Sequence, residues 1–353
     1  MTYLCNCWYM AAWADEVPAD GVLARRYLEE PVVLFRDGEG HARAVFDRCP
    51  HRFVPLSKGR IVDGAITCGY HGIAFDGEGR CVLNPHGPIL KGMAVRHYPI
   101  VEAYRALWIW MGEPAAADPS SLRDLSYLSD APETAFSKGY VCGNGNYELF
   151  VDNILDLTHA DFLHPTTLGG GSFTRTRAKV VETDDRLTIR WDALDEVPTP
   201  LQQSMRGLGP DDRLDTRTNV EWSAPAIMSL ATATAPVGTP FDGTYPMINV
   251  HIMTPETART THYFFASSRT FAVDDAALNE RFAEMRNWIF ATEDKPMIDA
   301  QHDRMGGRDF WELDPILLRI DEGAVRVRRK LARMIAAEGG RATEAREAVA
   351  LHG

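Results

Sequence analysis

The sequence predicts an α+β protein with an all-β N-terminal domain and a C-terminal domain that combines strands and helices. Residues 20–112 contain short β-like runs, such as "EEPVVLFRD" and "ALWIWMG", separated by Gly and Asp turns. The Pro-, Ala- and Ser-rich segment at 112–126 is typical of a connector. We therefore predict one domain at 1–118 and a second at 119–353.

The second domain alternates long strand patterns with helical patterns, which is typical of an α+β arrangement. A helical run at about 148–164 and a long helix at about 274–305 bracket strands at about 177–191, 217–235 and 246–270. The tail "AVRVRRKLARMIAAE" predicts an amphipathic helix with Val325, Val327, Leu331 and Met334 mostly on one side.

Composition and charge exclude some classes of protein. The net charge of −12 is not that of a typical nucleic-acid binder. No apolar run approaches the roughly 18 residues that a membrane span needs. The chain has no Lys or Arg before Arg25, so it lacks the leader of a secretory signal, and we predict a cytoplasmic protein. In that compartment its six cysteines should be thiols or metal ligands, and we interpret Cys5, Cys7, Cys81 and Cys142 as small buried residues.

Two mirrored Cys and His pairs predict a metal site in the first domain. Cys49 and His51 flank one residue, and Cys68 and His71 flank two. A structural zinc site remains an alternative, but zinc fingers usually space each pair more widely and keep like ligands together. Mixed pairs suit a 2Fe-2S cluster in which one iron takes two thiolates and the other takes two imidazoles. Imidazole ligands raise the reduction potential to about −150 to +300 mV, against about −400 mV for plant-type ferredoxins.

These motifs resemble those of a known family. "CPHR" at 49–52 and "CGYHG" at 68–72 resemble the Rieske motif of the bacterial Rieske non-haem iron oxygenases. The chain departs from respiratory Rieske proteins, because no additional Cys lies near Val54 or Tyr70. It also departs from the oxygenase pattern at Ile73, where a Trp commonly follows His-Gly, but Ile73 carries no ligand atom. The resemblance implies an N-terminal Rieske domain and a C-terminal antiparallel-sheet helix-grip (Bet v 1-like) catalytic domain.

A second metal site is predicted in "DNILDLTHADFLH" at 152–164. Two His and one carboxylate on one face of a non-haem Fe(II) are the arrangement that activates oxygen. His159 and His164 resemble the two histidines of that site within the family's D-x2-H-x4-H pattern, although two histidines near a helix end could also be structural. Residues five apart diverge by about 140° on an ideal helix, and Pro165 disfavours the helical conformation of His164. We therefore expect the helix to distort or end between the two ligands.

The resemblance implies that the carboxylate ligand lies on the long C-terminal-side helix. Asp294 matches its position, and Glu293 is the competing assignment. Pro296 should kink this helix near the metal, because it removes a backbone hydrogen bond.

The resemblance also gives Asp156 a catalytic role in electron transfer. Asp156 and His159 are three residues apart and would share a helical face. In this family the equivalent acid bridges an iron-ligand His to a cluster-ligand His of the neighbouring subunit, here His71. A closed head-to-tail ring is then required, and the family's usual form is a homotrimer. Asn153, one turn earlier, should lie near the iron.

The resemblance extends over nearly the whole chain and is strongest to the branch that includes vanillate and dicamba O-demethylases. It implies the terminal oxygenase of a monooxygenase system that uses O2 to demethylate a methoxylated aromatic acid to a phenol and formaldehyde. Electrons would come from NAD(P)H through a separate reductase, possibly with a ferredoxin, since the chain has no Gly-rich nucleotide fingerprint. The alternatives are methyl hydroxylation, N-demethylation or ring dihydroxylation of another small aromatic, or, in a different class, a Rieske electron carrier.

Three residues are candidates for contact with the substrate. His251 lies on a strand that should line the cavity, where it could hold a substrate carboxylate or phenol or could equally be a core histidine. Leu230 and Met285 are candidates for the apolar wall of the cavity.

Overall fold

The computed structural model describes residues 3–351, with the side chains of that range except at 206 and 340–351. Two compact units divide the chain. The first comprises the chain up to residue 125 with 254–258 and the chain from 334 onward, and the second comprises 126–253 and 259–333. The boundary between residues 118 and 119 stays a prediction.

The first unit contains eleven short strands within its described residues, in three sheets, and its all-β prediction is confirmed. The sheet orders are β1-β11-β10, β2-β3-β4-β9 and β5-β6-β7-β8, and neighbouring strands in each sheet are antiparallel. Their bounds are β1 Trp8–Trp13, β2 Val22–Tyr27, β3 Glu30–Arg36, β4 Ala42–Phe46, β5 Arg60–Val62, β6 Ala65–Thr67, β7 Ala74–Phe75, β8 Cys81–Leu83, β9 His97–Tyr98, β10 Ile100–Ala103 and β11 Ala106–Trp110. Single 3₁₀ turns occupy Ala14–Glu16, Leu56–Lys58, Pro114–Ala116 and Pro119–Ser121.

The core of the first unit holds the two motif cysteines. Val33 and Phe35 on β3 are fully buried, in line with the apolar run "VVLF". They pack in one cluster with Leu56, Ile66 and Phe75, and Cys49 and Cys68 belong to the same cluster. Burial of this apolar surface stabilises the strands and, with them, the loops that carry the cysteines.

The second unit is built on one antiparallel seven-stranded sheet, so the predicted α+β class is confirmed. The order is β12-β18-β17-β16-β15-β14-β13, a meander from β13 to β18 with β12 added beyond β18. Each of the three predicted strands is in fact a pair of strands, because the hydrophobic pattern continues across tight turns. The bounds are β12 Phe136–Asn144, β13 Lys179–Glu182, β14 Arg186–Glu196, β15 Leu214–Ser223, β16 Ile227–Pro236, β17 Met247–Thr257 and β18 Thr260–Arg269. Cys142 lies exposed on edge strand β12, so its predicted burial is wrong.

Eight α-helices occur in the described chain. They are α1 Tyr127–Asp130, α2 Tyr147–Leu155, α3 Ala160–Leu163, α4 Ser172–Arg175, α5 Pro200–Arg206, α6 Ala276–Ile289, α7 Lys295–Met305 and α8 Glu322–Leu351. Short 3₁₀ turns lie at Glu133–Ala135, Leu157–His159, Trp311–Leu313 and Arg319–Asp321. Within these residues no helix is long and apolar enough to cross a membrane.

The predicted long helix at 274–305 is interrupted at its centre. A π-helical segment, Phe290–Asp294, separates α6 from α7. Pro296, in the first turn of α7, has no N–H to continue the regular hydrogen-bond ladder, and single π turns are a common way to absorb such an interruption. The expected distortion near Asp294 is therefore present as a widened turn.

The predicted helix at 148–164 breaks earlier than expected. Helix α2 begins with Asn146 accepting a 3.0 Å hydrogen bond from the Glu148 N–H and ends before Asp156, whose backbone is extended at φ −122° and ψ 94°. Asp156 and His159 therefore do not share a face of one helix. The chain resumes as a 3₁₀ turn and α3, and leaves the helical conformation at His164, before Pro165, as predicted.

Candidate metal centres and substrate cavity

Two loops of matching hydrogen-bond geometry carry the cysteine and histidine motifs. In the first loop, after β4, the Cys49 N–H donates to Val54 at 2.9 Å and Cys49 accepts from Phe53 at 3.0 Å. In the second loop, between β6 and β7, Cys68 repeats both contacts with Ile73 at 2.8 Å and Gly72 at 3.0 Å.

Each loop turns through a left-handed residue four positions after its cysteine. Gly72 adopts φ +72° at this position, which glycine does readily. Phe53 adopts φ +61° at the equivalent position, which is unfavourable for a bulky side chain. The first loop therefore holds a strained residue where the second holds glycine.

The four motif side chains are arranged as two buried thiols and two outer imidazoles. Cys49 and Cys68 are 2% and 3% exposed, whereas His51 is exposed and its ring centroid lies 4.6 Å from that of His71. Burial raises the pKa of Cys49, and the adjacent Cys68 acts in the same direction. Bound metal would reverse this effect, because a coordinating thiol is deprotonated.

The two thiols and two imidazoles fit a site with two metal atoms better than a site with one. Among the described side chains, three potential ligand atoms lie within 4.8 Å of one another only at a group in the second unit, and not at the four motif residues. Two thiols in the core and two imidazoles at the surface fit the pattern of a cluster in which one iron takes sulfur and the other takes nitrogen. A single tetrahedral zinc needs all four ligands around one point.

The three ligand atoms that converge in the second unit belong to His159, His164 and Asp294. The Asp294 carboxylate lies 3.2 Å from Nε2 of His164 and 3.5 Å from Nε2 of His159. The two imidazole planes are inclined by 75°. His159 precedes α3, His164 ends it, and Asp294 is the last residue of the π segment.

Each of the two histidines forms a hydrogen bond through Nδ1. Its Nε2 is therefore available to converge with the Asp294 carboxylate. His164 Nδ1 donates to the Glu293 carboxylate at 2.7 Å. His159 Nδ1 donates to the main-chain carbonyl of Asp156. Metal-ligand histidines typically have such a partner on the second ring nitrogen, which fixes the tautomer and the ring orientation. Glu293 therefore lies on the side of His164 away from the converging Nε2 atoms.

Asp294 is kept ionised by its neighbours. Burial by itself would raise the pKa of this carboxyl, but the hydrogen bonds and charges of His159 and His164 outweigh burial and hold the pKa well below its usual range. Asn153, on α2, also donates a 3.1 Å hydrogen bond to Asp294. The predicted proximity of Asn153 to the site is thus a direct contact with the carboxylate.

The Asp156 carboxylate faces a different partner within its own chain. Its Oδ1 accepts hydrogen bonds from the Thr158 N–H at 3.0 Å and from the Thr158 hydroxyl at 2.7 Å. The expected link to His159 is made by the Asp156 carbonyl instead. The carboxylate therefore caps the 3₁₀ turn that leads into His159.

A buried arginine fixes the helix that carries Asn153. Arg328, 5% exposed, pairs with Asp152 at 2.6 Å and with Glu148 at 2.9 Å. Burial raises the pKa of both carboxyls, against the lowering effect of Arg328. A charged pair removed from water in this way is costly to break from one side, because the partner is left unpaired.

A cavity of about 550 Å³ adjoins the converging ligands. Alternate residues of five neighbouring strands, β14 to β18, line one wall, because side chains of a strand alternate between the two faces of a sheet. Helix α6 and the π segment also line the cavity. The lining includes His159, His164, Asp294 and Asn153, and all three predicted substrate contacts, His251, Leu230 and Met285.

His251 is neutral and hydrogen-bonded to Tyr263 in this cavity. Burial and the charge of Arg286 lower its pKa to about 4, while Asp294 acts in the opposite direction, so His251 is neutral at pH 7. Burial also raises the pKa of Tyr263, which therefore stays a phenol. A 2.5 Å hydrogen bond joins the Tyr263 hydroxyl to Nδ1 of His251, and the ring proton lies on Nε2 when the hydroxyl is the donor.

The polar lining residues that sequence reasoning missed include Asn249, Tyr263, Ser267 and Arg286. A strand-period signal was available for three of them, since Asn249 is two residues from His251, and Tyr263, Phe265 and Ser267 alternate along β18. Arg286 lies four residues from Phe282 and three from Ile289, so it interrupts the apolar face of α6. An arginine on such a face is itself a signal of a buried polar site.

Comparison with known proteins identifies the family. A family model described as the Rieske [2Fe-2S] domain matches residues 7–99, and one described as the vanillate O-demethylase oxygenase C-terminal domain matches residues 144–337. The chain therefore belongs to the Rieske non-haem iron oxygenases, in the group with the vanillate O-demethylase type of catalytic domain. It is an enzyme of the monooxygenase type, and the presence of this domain excludes a pure electron carrier.

Individual relatives match over almost their full length. The oxygenase component of chloroacetanilide N-alkylformylase from Rhizorhabdus wittichii is 38% identical, over 96% of this chain and 97% of the relative. The oxygenase component of dicamba O-demethylase from Stenotrophomonas maltophilia is 36% identical, over 95% and 98%. A crystal structure of dicamba monooxygenase bound to 3,6-dichlorosalicylic acid superposes with a TM-score of 0.89 at 34% identity, over 96% of this chain and 99% of that chain.

These findings confirm the predicted cofactors and the fold class. The Rieske domain carries a [2Fe-2S] cluster, and a further dicamba monooxygenase structure contains non-heme iron (TM-score 0.80, 34% identity, over 97% of this chain and 100% of that chain). The relatives are oxygenase components of multicomponent systems, so the chain is an oxygenase component that depends on a reductase for electrons.

Proposed function

We propose that this oxygenase component O-demethylates a methoxylated aromatic acid to a phenol and formaldehyde. The observation that carries the proposal is the cavity of about 550 Å³, mostly lined by apolar side chains, beside His159, His164 and Asp294. A cavity of this size accommodates one small aromatic molecule. The relatives named as dicamba O-demethylase and as vanillate O-demethylase support ether cleavage as the reaction.

We assign as ligands of the two metal centres the residues that both the sequence motifs and the geometry indicate. Cys49, His51, Cys68 and His71 would hold the [2Fe-2S] cluster, and His159, His164 and Asp294 would hold the mononuclear iron. The iron, when bound, would supply oxygen activation with electrons from the cluster. Glu293 serves as the hydrogen-bond partner that orients His164 rather than as a ligand.

The residues of the cavity orient the substrate. Leu230 and Met285 pack against the aromatic ring, which removes apolar surface from water. The Nε2–H of His251 donates to a substrate oxygen, and Tyr263 maintains the required tautomer. Asn153 holds Asp294 in position through its 3.1 Å hydrogen bond. The methyl group is thereby directed at the converging ligand atoms while the ring is held by the sheet.

Electron delivery requires a second subunit in this proposal. The Asp156 carboxylate would accept a hydrogen bond from His71 of the partner subunit, and the Asp156 carbonyl already holds His159 in the same chain. A head-to-tail contact of this kind closes into a ring, and we propose a homotrimer. The reductase would be NAD(P)H-dependent, with or without a ferredoxin.

The proposal is tested by formaldehyde release. The purified oxygenase, supplied with NAD(P)H and a reductase, is incubated with a set of methoxybenzoates that includes vanillate, and formaldehyde and the phenol are quantified. Equal amounts of the two products are expected. Oxidation of the same compounds at the ring or at a C-methyl group, with no formaldehyde, would exclude O-demethylation.

N-dealkylation is a second candidate, because a relative at 38% identity is named chloroacetanilide N-alkylformylase. The same assay distinguishes the two reactions when N-alkyl anilides replace the methoxybenzoates. Cleavage of the anilide with no reaction of the aromatic ethers would favour this second candidate.

A further inference from the structure

The cavity contains a cation that the proposed demethylation does not yet use. Arg286, on α6, lines the cavity, and it is the only Arg or Lys among the described lining residues. Nη2 of its guanidinium donates to the Ser137 hydroxyl at 3.0 Å, and Nη1 donates to the Ser267 hydroxyl. Within the described part of the chain these partners are neutral hydroxyls, and no carboxylate is among them.

The guanidinium also has an unused donor. Nε of Arg286 is buried and has no hydrogen-bond partner. A buried donor left unpaired destabilises the empty site, so a ligand that supplies an acceptor binds more favourably. The guanidinium lies over the Phe265 ring, 5.2 Å from its centroid, which fixes its plane.

Arg286 remains charged at neutral pH. Burial lowers its pKa to about 10, with Tyr263 acting in the opposite direction, and that value still leaves the guanidinium protonated. The other charged groups of the lining do not neutralise it: Asp294 faces the two metal-site histidines, and Glu196 pairs with Arg175 at 2.6 Å. The wall formed by α6 therefore carries a positive charge without a counter-ion.

The Ser267 hydroxyl, which contacts Arg286, is held in one orientation by its hydrogen bonds. Ser267 accepts from Arg286 and donates to the Asn249 side-chain oxygen at 2.5 Å, so both of its hydrogen-bonding roles are occupied. Asn249 is two residues from His251 on β17, and residues two apart on a strand face the same side. The cavity thus has an anion-attracting wall at Arg286 and a neutral imidazole at His251.

We propose that Arg286 binds the carboxylate of the substrate and thereby selects anionic aromatic compounds over neutral ones. This inference rests on the proposed function, and it assigns the carboxylate to Arg286 and leaves His251 for the phenol or ether oxygen. A guanidinium forms two parallel, charge-assisted hydrogen bonds with a carboxylate, whereas a neutral amide offers a single acceptor oxygen and no opposite charge.

Binding in the absence of reductase tests the assignment without any turnover. Isothermal titration of the iron-loaded enzyme with vanillate and with vanillamide, which differ only in the acid or amide group, gives the preference for the anion. The wild-type enzyme should bind vanillate about ten- to a hundredfold more tightly, the factor that one hydrogen bond to a charged group supplies. Equal binding of the two compounds by the wild type would overturn the proposal.

Substitution of Arg286 tests whether this residue is responsible for the preference for vanillate over vanillamide. Arg286→Gln should abolish the preference for vanillate over vanillamide, and Arg286→Lys should keep part of it. Arg281→Gln is the matched control, since it removes the same charge from an exposed position on the same helix and should preserve the preference. Retention of the full preference by Arg286→Gln, or its complete loss in a folded Arg286→Lys, would contradict the assignment.

The proposed O-demethylation and the proposed carboxylate site at Arg286 can be refuted independently of each other. A preference for vanillate that depends on Arg286, without formaldehyde release, leaves the anion site intact and excludes demethylation. Formaldehyde release that accompanies a preference independent of Arg286 leaves demethylation intact and excludes this anion site.

Discussion

Glu293 and Asp294, adjacent in the chain, contact opposite edges of the same imidazole. Glu293 accepts a 2.7 Å hydrogen bond from Nδ1 of His164, and Asp294 lies 3.2 Å from its Nε2. On a regular helix, neighbouring residues point about 100° apart, but the π segment at Phe290–Asp294 widens this turn. Adjacent acids can therefore take different parts, one as the candidate metal ligand and the other as the group that orients His164.

Removal of the Glu293 carboxylate should weaken iron binding without affecting the cluster. Partners of this kind typically contribute 10–100-fold in metal affinity, so we expect Glu293→Ala to lose iron to a chelator at about 10–100-fold lower concentration. Iron content after dialysis and the visible absorption of the cluster measure the two effects. Glu293→Gln, which keeps an acceptor, should recover most of the affinity, and Glu284→Ala, exposed on α6, should bind iron like the wild type. Unchanged iron binding in Glu293→Ala would refute the orienting role.

The two metal centres should be separable by substitution. His159→Ala or Asp294→Ala should lose the mononuclear iron and all turnover, because each removes one of three converging ligand atoms, while the cluster spectrum stays intact. Cys68→Ser should instead lose the visible absorption and the EPR signal of the reduced cluster. Metal analysis and EPR spectroscopy check both expectations. Full iron occupancy in Asp294→Ala would move the carboxylate ligand elsewhere, with Glu293 tested next.

Substitution of Asp156 tests the route of the electrons. Asp156→Asn keeps an Oδ1 that can accept both hydrogen bonds from Thr158, so the local turn should form. The amide nitrogen, however, is a donor where the proposed contact with His71 of the partner subunit needs an acceptor. We expect a folded trimer with both metal sites filled and a severely slowed transfer of electrons.

A single-turnover experiment measures this effect. The cluster is reduced beforehand, substrate and oxygen are added, and cluster reoxidation is followed together with product. Reoxidation at the wild-type rate, coupled to product, would show that Asp156 is not on the route. Size-exclusion chromatography with light scattering provides the control for assembly.

The low pKa of His251 predicts a pH-dependent stability. Because its pKa is about 4 in the folded protein and about 6.5 in an unfolded chain, the unfolded chain binds an additional proton between these values. Stability is then complete above about pH 6.5 and decreases as the pH falls toward 4. From pH 7.5 to 5.5 the contribution of His251 to the free energy of unfolding should fall by about 1 kcal/mol.

Urea unfolding at the two pH values checks this prediction. His251→Gln cannot be protonated, so its stability should depend less on pH than that of the wild type, by about the same 1 kcal/mol. The other groups near His251 are Tyr263, Arg286 and Asp294, and all of them are present in both proteins. Equal dependence on pH in the two proteins would show that His251 is not held neutral.

The sequence was most informative where short-range chemistry and spacing carry the information. Cys49, His51, Cys68 and His71 are close in the chain, and their loops follow from their spacing and from Gly72. The end of the helix at His164 was also predictable, because Pro165 disfavours the helical conformation there, whereas the assignment of His159 and His164 came from the family resemblance. Their joint convergence with Asp294, more than a hundred residues away, came from resemblance and not from pattern.

Local backbone geometry and long-range packing account for what the sequence did not reveal. The break at Asp156 depends on an extended residue and a 3₁₀ turn that no periodicity signals. The partner of His159 is a main-chain carbonyl, and every residue has one, so no side-chain pattern predicts it. From its residue type, Arg286 would be expected at the protein surface. It lines the cavity only because α6 packs against the sheet.

The π segment makes the number of residues between α6 and α7 more critical than their identity. Deletion of one residue from Phe290–Asp294 would allow ordinary helical winding, and the widened turn that directs Glu293 and Asp294 to His164 would be lost. The buried side chains of Ile298 and His302, beyond the segment, would keep their direction, because the additional residue of a π turn is accommodated within that turn. Substitutions along the cavity can alter which molecule is accepted, whereas insertions or deletions in this stretch would dismantle the alignment of Asp294 with the two histidines.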